Sequence, residues 1–204
     1  MKLYCSKNSP YARKARVSII ELGISDRVEL IETDPRDPST GLWSLNPLAK
    51  IPVLATDDGD IIFDSPVICD YLNQVAGDGR LLPTEPASRW RATTLAALAD
   101  GVMDAAMAVR LERQRPEGEQ SPAWMEKQLA RAGRALDALQ DALPDFQDRV
   151  DLVSIGTACA ITWVMFRLPD HDWLGPRPRL AAWHAEYCKR DAMQRTMPEI
   201  PLKP

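Results

Sequence analysis

The stretch of sequence that decides the fold lies at residues 46–54 and reads NPLAKIPVL. Its second half has the apolar pattern of a β-strand, and Pro52 lies inside that pattern. Because proline has no backbone N–H, a proline in a strand belongs at a sheet edge or beside an irregular backbone geometry. Cis bonds make up only about 5–6% of X-Pro bonds in folded proteins, which favours a trans Ile51–Pro52 bond in an edge strand.

Outward from this stretch, residues 1–80 alternate between strand and helix patterns. The apolar runs on either side of the Asp58-Gly59 turn signal predict an antiparallel hairpin. A clean helical stripe follows the hairpin and ends at Gly77. Together the patterns predict the order βαβαββα, with strands at 2–4, 28–32, 51–55 and 61–63, helices at 10–22 and 67–75, and a short segment that ends at Asn46-Pro47.

After a linker at 81–86, every periodic segment is helical. Apolar residues at 125–143 step by three and four, which is the stripe of a helix packed on a bundle, and Pro144 ends it. Ser154 is a good N-cap residue for a further helix, and 180–188 predicts another. The predicted fold class is therefore an α/β domain at residues 1–80 followed by an all-α helical-bundle domain at residues 87–204.

Composition and charge narrow the class of protein. The chain has 204 residues, of which 45% are hydrophobic, and this suits one or two globular domains rather than a disordered or fibrous protein. Its formal net charge of −4 lacks the basic excess that drives binding to nucleic acids or anionic membranes. The longest apolar stretch, 155–166, falls well short of the ~20 residues of a membrane helix, and the polar N-terminus has no secretory h-region. We therefore expect a cytoplasmic protein that spans no membrane.

The four cysteines, Cys5, Cys69, Cys159 and Cys188, are widely scattered. None belongs to a CxxC motif or has a histidine at zinc-ligand spacing. We therefore expect reduced thiols and no bound metal.

Two helix starts combine serine with proline. Ser9-Pro10 places a hydroxyl and free backbone N–H groups at the positive end of the first helix, where an anion is favoured. Asp64-Ser65-Pro66 repeats the arrangement, and its carboxylate can also bind an ammonium group. Arg13 lies in the first turn of the first helix, where a cation opposes the macrodipole and is more readily tolerated beside a bound anion. The alternative for each serine is a capping residue with no ligand.

These motifs resemble those of one family. Ser9-Pro10-Tyr11, the stretch at 46–54 and Phe63-Asp64-Ser65-Pro66, on the order βαβαββα followed by helices, resemble the cytosolic glutathione S-transferase family across essentially the whole chain. The resemblance implies a thioredoxin-like domain that binds glutathione and an all-helical domain that contributes the pocket for a second, electrophilic substrate. It also implies a homodimer of the bacterial type, with serine in place of the redox cysteine.

The resemblance assigns glutathione contacts to six residues. Pro52 matches the cis-proline of the family, and the backbone of Val53 pairs with the cysteinyl part of glutathione. Asp64 and Ser65 hold the γ-glutamyl end, and Lys50 lies near the glycyl carboxylate. The implied glutathione-binding set is Lys50, Ile51, Pro52, Val53, Asp64 and Ser65.

Ser9 is the candidate catalytic residue. It matches the first cysteine of a Cys-Pro-Tyr-Cys redox motif, but residues 9–12 here read Ser-Pro-Tyr-Ala. Because a hydroxyl cannot form a mixed disulfide, the change argues against glutaredoxin-like exchange. Lowering a thiol pKa from ~8.5 to ~7 takes ~2 kcal/mol, and one hydrogen bond to a charged group supplies ~1.5–3 kcal/mol. Ser9 can therefore stabilise the thiolate of glutathione, with Ser6 as an alternative donor and Cys5 as an alternative thiol in the same region.

The helical domain contains most candidates for the second-substrate pocket. Methionines suit a permissive apolar pocket, and packing in the core of the bundle is the equal alternative. The candidate residues for the pocket or its surroundings are Tyr11, Arg13, Met103, Asp104, Met107, Arg110 and Trp163. The predicted function is transfer of glutathione to a small hydrophobic electrophile, with glutathione-dependent peroxide reduction or isomerisation as related activities. A non-catalytic binding or regulatory protein with the same fold is the alternative.

Overall fold

The structure of the chain is a computed structural model that describes residues 1–75 and 79–199. It forms two compact units. The first unit joins Met1–Thr84 to the chain from Arg190 onward, and the second contains Glu85–Lys189.

The order of the elements confirms the predicted fold class. Both the βαβαββα order and the helical second part of the chain are present. The predicted end of the third helix at Gly77 lies outside the described residues. Within those residues the strands and α-helices are, in chain order, β1 (Lys2–Cys5), α1 (Pro10–Glu21), β2 (Glu29–Glu32), α2 (Leu42–Leu45), β3 (Val53–Ala55), β4 (Ile61–Ile62), α3 (Ser65–Val75), α4 (Pro86–Glu112), α5 (Pro122–Asp141), α6 (Leu152–Arg167), α7 (Pro178–Tyr187) and α8 (Asp191–Arg195).

The C-terminal part of the chain differs from the predicted domain division. The sequence predicts one helical domain at 87–204, whereas the chain from Arg190 onward belongs to the first unit. Arg190 donates two hydrogen bonds of 2.8 and 2.9 Å to the carboxylate of Glu21 at the end of α1. α8 follows directly and packs against α1. The helical unit therefore ends at Lys189.

The first unit is built on a four-stranded mixed sheet in the order β2-β1-β3-β4. β1 is parallel to β2, and β3 is antiparallel to both β1 and β4. In this register Tyr4 lies opposite Val53, and Leu54 lies opposite Ile62. The end of β1, the start of β3 and the end of β4 therefore meet at one end of the sheet. We call it the loop end, because the chain enters α1, β3 and α3 there.

Buried apolar side chains fix the sheet and two helices beneath the loop end. Leu3 on β1 and Leu54 on β3 are fully buried and lie opposite each other. α1 and α3 pack side by side, and Ser18 Oγ lies 3.6 Å from Cys69 Sγ between them. The starts of both helices therefore have a rigid support.

The second unit is a helical bundle in which α4 packs against both α5 and α6. α6 is buried continuously from Leu152 to Val164. A helix that is apolar on all sides is expected in the middle of a bundle. α6 is therefore the central helix of this unit.

The start of α6 corrects the prediction that Ser154 is its N-cap. The N-cap is Asp151, whose Oδ1 accepts hydrogen bonds of 3.0 Å from the backbone N–H groups of Val153 and Ser154. Ser154 Oγ lies 3.0 Å from the backbone nitrogen of Asp151 and completes a capping box. Ser154 thus occupies the third helical position, where its hydroxyl satisfies a backbone group outside the helix.

One helix also differs from the expectation that no segment could span a membrane. By length and apolar composition alone, α4 would suffice to cross one, and 44% of its most apolar window is buried inside the structure. Its buried residues include Val102, Ala106 and Val109. A long core helix of a bundle has the same composition, so α4 alone is weak evidence for a membrane protein.

Candidate functional site

The first component of the site is the start of α1 at the loop end of the sheet. Ser9 is the N-cap residue, and its Oγ accepts a hydrogen bond of 3.2 Å from the backbone N–H of Ala12. Pro10 occupies the first helical position, as predicted. Accepting this bond leaves the hydroxyl proton of Ser9 free to be donated, and no acceptor among the described residues takes it. Ser9 therefore caps the helix and still offers a donor at its positive end.

The two alternatives to Ser9 lie just before it in the chain. Ser6 is partly exposed, and its backbone oxygen accepts a hydrogen bond of 3.4 Å from Ser9 N, so its hydroxyl stays an alternative donor. Cys5 is buried, and burial raises its pKa to about 11, with a smaller rise from Glu32 and an opposing effect of Arg16. Because Cys5 stays protonated at neutral pH, the structure disfavours thiolate chemistry at this residue.

The second component is the stretch at residues 46–54, which approaches the start of β3. Asn46 is buried, and its Nδ2 donates a hydrogen bond of 2.9 Å to the backbone oxygen of Lys50. Its Oδ1 accepts one of 3.0 Å from the backbone N–H of Leu48. Ala49 has a φ of 49°, in the left-handed region that non-glycine residues adopt only with support from their surroundings. The side chain of Asn46 therefore holds the loop that positions Lys50.

The Ile51–Pro52 peptide bond is cis, as the family resemblance implies and contrary to the base rate for X-Pro bonds. Pro52 and Val53 are buried, whereas the side chain of Lys50 is exposed. Val53 lies opposite Tyr4 on β1, and the printed pairing of β3 with β4 begins one residue later, at Leu54. The backbone of Val53 on the β4 side thus lies at the loop end of the sheet.

The third component is the start of α3. Asp64 is exposed, and its backbone oxygen accepts a hydrogen bond of 2.9 Å from Ile68 N. Its carboxylate makes no hydrogen bond or ion pair with the part of the chain that the structure describes. The Phe63–Asp64 peptide bond is also cis. Ser65 is the first residue of α3 and is 2% exposed.

These components gather an exposed cation, a free carboxylate and two helix N-termini at the loop end of one sheet. A ligand with an ammonium group at one end and carboxylates elsewhere matches this arrangement of charges. Family models match both parts of the chain, the one for the glutathione S-transferase N-terminal domain at residues 8–75 and the one for the C-terminal domain at residues 122–186. The chain belongs to the glutathione S-transferase family.

Known members of this family resemble the chain over nearly its whole length. It is 35% identical over 201 residues, 97% of this chain and 98% of the relative, to the uncharacterized GST-like protein YibF of Escherichia coli strain K12. A glutathione transferase family member from Pseudomonas fluorescens Pf-5, solved with bound glutathione, is 39% identical with a TM-score of 0.92, over 98% of this chain and 99% of its own. A family member from the same organism with bound S-(propanoic acid)-glutathione is 38% identical with a TM-score of 0.90, over 98% and 100% of the two chains.

The structure separates the two residues that the sequence nominated near the start of α1. Tyr11 is partly exposed. Arg13 is 2% exposed, and its Nη2 donates a hydrogen bond of 3.0 Å to the backbone oxygen of Met193. The structure thus places Arg13 in the packing between α1 and α8, an arrangement that no local sequence pattern could have indicated.

The candidates in the helical unit divide in the same way. Met103 is fully buried and Trp163 is 2% exposed, whereas Met107 and Arg110 are partly exposed. Asp104 is exposed and lines a groove between α4 and α5. Met103, Met107 and Arg110 share one face of α4 through steps of four and three, and Asp104 belongs with the α5 side. Among the described residues no group of three or more histidines, cysteines, aspartates or glutamates could hold a metal ion.

Proposed function

We propose that this protein is a glutathione transferase in which Ser9 stabilises the thiolate of glutathione for attack on an electrophile. The observation that carries the proposal is the division of labour in the Ser9 hydroxyl. Its oxygen accepts from Ala12 N at 3.2 Å, and its proton has no acceptor among the described residues. A donor at the start of a helix favours an anion in front of it.

The charges at the loop end support binding of glutathione, which relatives with 38–39% identity hold in their solved structures, free or as an adduct. Asp64 pairs with the ammonium group of the γ-glutamyl end, and Ser65 donates to its carboxylate at the start of α3. Lys50 pairs with the glycyl carboxylate. The backbone of Val53 bonds the cysteinyl unit, which directs the sulfur toward the start of α1.

The magnitudes are sufficient for the chemistry. Shifting a thiol from a pKa of ~8.5 to ~7 takes ~2 kcal/mol, which one hydrogen bond to a charged acceptor can supply. The thiolate then attacks the electrophilic carbon, the carbon–sulfur bond forms, and the leaving group departs with its electron pair. Ser9 acts only as a hydrogen-bond donor, so it neither forms a covalent intermediate nor loses its proton.

We also propose that the enzyme is a cytoplasmic homodimer. Large apolar side chains remain exposed on both units, among them Val67 on α3 at 52% and Trp90 on α4 at 70%. Exposed apolar surface of this kind supports an interface with a second copy. The solution mass of the purified protein, measured by light scattering, tests this part of the proposal.

The bound thiol provides the test of Ser9. Titration of glutathione on the protein, followed by the ultraviolet absorbance of the thiolate, should give a pKa near ~7, and Ser9→Ala should raise it by about one to two units. Ser6→Ala is the matched control and should leave the pKa of the bound thiol unchanged. Ser9→Thr retains both the hydroxyl and the cap, so it should restore the low value.

The outcomes separate the alternatives. An unchanged pKa in Ser9→Ala contradicts the role of Ser9, and a rise in Ser6→Ala transfers that role to Ser6. Glutathione binding without turnover across a panel of electrophiles and peroxides would favour the non-catalytic binding or regulatory protein.

A further inference from the structure

Two arginines lie together at one end of the helical unit. Arg113, directly after α4, and Asp170, just after α6, are joined by a two-pronged ion pair with distances of 3.0 and 2.8 Å. This pair fixes the C-terminal ends of the two helices beside each other. Arg110 in the last turn of α4 and Arg167 at the end of α6 therefore lie at the same end of the unit.

Neither arginine has an anionic partner in the described part of the chain. Burial of Arg167 and the nearby charge of Arg110 both lower the pKa of the Arg167 guanidinium. Arginines in the last turn of a helix commonly donate to its free carbonyls, but neither of these side chains makes a hydrogen bond to any described residue. The Nε of Arg167 is buried without an acceptor. The nearby Asp170 carboxylate already has both of its oxygens bonded to Arg113.

The surroundings of the two charges are apolar. Steps of four and three place Met103, Met107 and Arg110 on one face of α4. Steps of three and four place Trp163, Phe166 and Arg167 on one face of α6. The guanidinium of Arg167 lies 4.2 Å from the centre of the Phe166 ring, which holds its plane in a fixed orientation.

We propose that Arg110 and Arg167 bind the carboxylate of the second substrate, so that this enzyme conjugates glutathione to electrophiles that are organic acids with an apolar body. The inference rests on the proposed transferase function and narrows its substrate class. A carboxylate between the two guanidinium groups cancels their repulsion and supplies the acceptor that Arg167 Nε lacks. The adjacent methionine and aromatic faces accommodate the apolar body. The carboxylate itself takes no part in the bond changes.

A matched pair of electrophiles tests this assignment. In 4-chloro-3-nitrobenzoate and 4-chloro-3-nitrobenzamide the glutathione thiolate attacks the ring carbon that carries chlorine, and chloride leaves. The wild-type enzyme should prefer the acid in kcat/KM. Arg110→Gln and Arg167→Gln should each lower kcat/KM for the acid by about tenfold and change it for the amide by less than about twofold. Arg179→Gln, which removes an exposed arginine elsewhere in the helical unit, is the charge-matched control.

Several measurements keep the result interpretable. Thermal unfolding confirms that each variant is folded, and Arg167→Lys, which keeps the charge, should retain part of the preference for the acid. Calorimetry with glutathione alone tests the proposed function, since its failure would show no glutathione binding in any variant. Binding of 3-nitrobenzoate against 3-nitrobenzamide, followed by NMR without glutathione, tests the anion site independently. Equal losses for acid and amide, or no loss in either variant, would overturn the assignment.

Discussion

The guanidinium of Arg13 donates to the backbone oxygen of Met193 across 3.0 Å, and this bond joins α1 to α8. The Nε of Arg13 also donates to Thr196 Oγ1 at 3.3 Å. Arg13 has no carboxylate partner among the described residues, so its contribution lies in these bonds and in its packing. The helix that begins with Ser9 is thereby held by a segment from the far end of the chain.

Arg13→Ala should destabilise the protein. The change removes the bonds to Met193 and Thr196 and leaves a cavity where the side chain was buried. We expect the free energy of unfolding to fall by about 2–4 kcal/mol. Urea unfolding measures this loss. Arg27→Ala, at an exposed arginine of the same unit, should change it by less than about 0.5 kcal/mol, and a similar loss in both variants would contradict the role of Arg13.

The cap of α6 gives a prediction about pH. Burial raises the pKa of Asp151 above its ordinary value of 3.8, although the N–H groups of Val153 and Ser154 act in the opposite direction. Since the folded protein then holds this proton more tightly than the unfolded chain, stability is lost as pH rises from about 3.8 to the raised pKa. Asp151→Asn keeps a capping side chain and removes the titration.

Thermal unfolding of both proteins from acid to neutral pH measures this effect. The stability of the wild type relative to Asp151→Asn should be greatest at the acid end and should decline as pH rises. A relative stability that increases with pH would show that hydrogen bonding, rather than burial, dominates the pKa of Asp151.

Asp64→Asn should weaken glutathione binding by about three- to tenfold, because the free carboxylate no longer pairs with the ammonium group of the ligand. Added salt should weaken binding to the wild type more than to the variant. Calorimetry measures both effects. Asp58→Asn, at an exposed aspartate in the β3–β4 turn, is the control, and an equal loss of affinity there would point to net charge alone.

Ser9→Cys should convert the site to disulfide chemistry. A thiol at the start of a helix has a lowered pKa, and its thiolate attacks one sulfur of glutathione disulfide while glutathione thiolate leaves. Intact-mass measurement after exposure to glutathione disulfide should show one added glutathione. The experiment belongs in a Cys188→Ser background, because Cys188 is partly exposed, and the unmodified Ser9 protein in that background should gain no mass.

The sequence predicted those parts of the fold that depend on local patterns. The hairpin follows from apolar runs around Asp58-Gly59, and α1 follows from Ser9-Pro10 and its apolar spacing. The capping box at Asp151 was also local, but the reciprocal role of Ser154 made it resemble the first residue of the helix. The cis bond before Pro52 came from the family resemblance, since nothing in the immediate sequence distinguishes it from a trans bond.

The remainder depends on contacts between distant residues. Arg13 and Met193 are separated by 180 positions, and no periodic pattern links a cation in one helix to a carbonyl in another. Arg167 was missed for the same reason. Its significance comes from Arg110 and from the pair between Arg113 and Asp170, which only the packing of α4 and α6 brings together.

A first unit assembled from both ends of the chain also constrains the order of folding during synthesis. Residues 1–84 leave the ribosome well before Arg190, so Arg13 and Glu21 must wait for their partners while the whole helical unit is translated. The nascent sheet can form early, but α1 remains uncovered on its α8 side until synthesis is nearly finished.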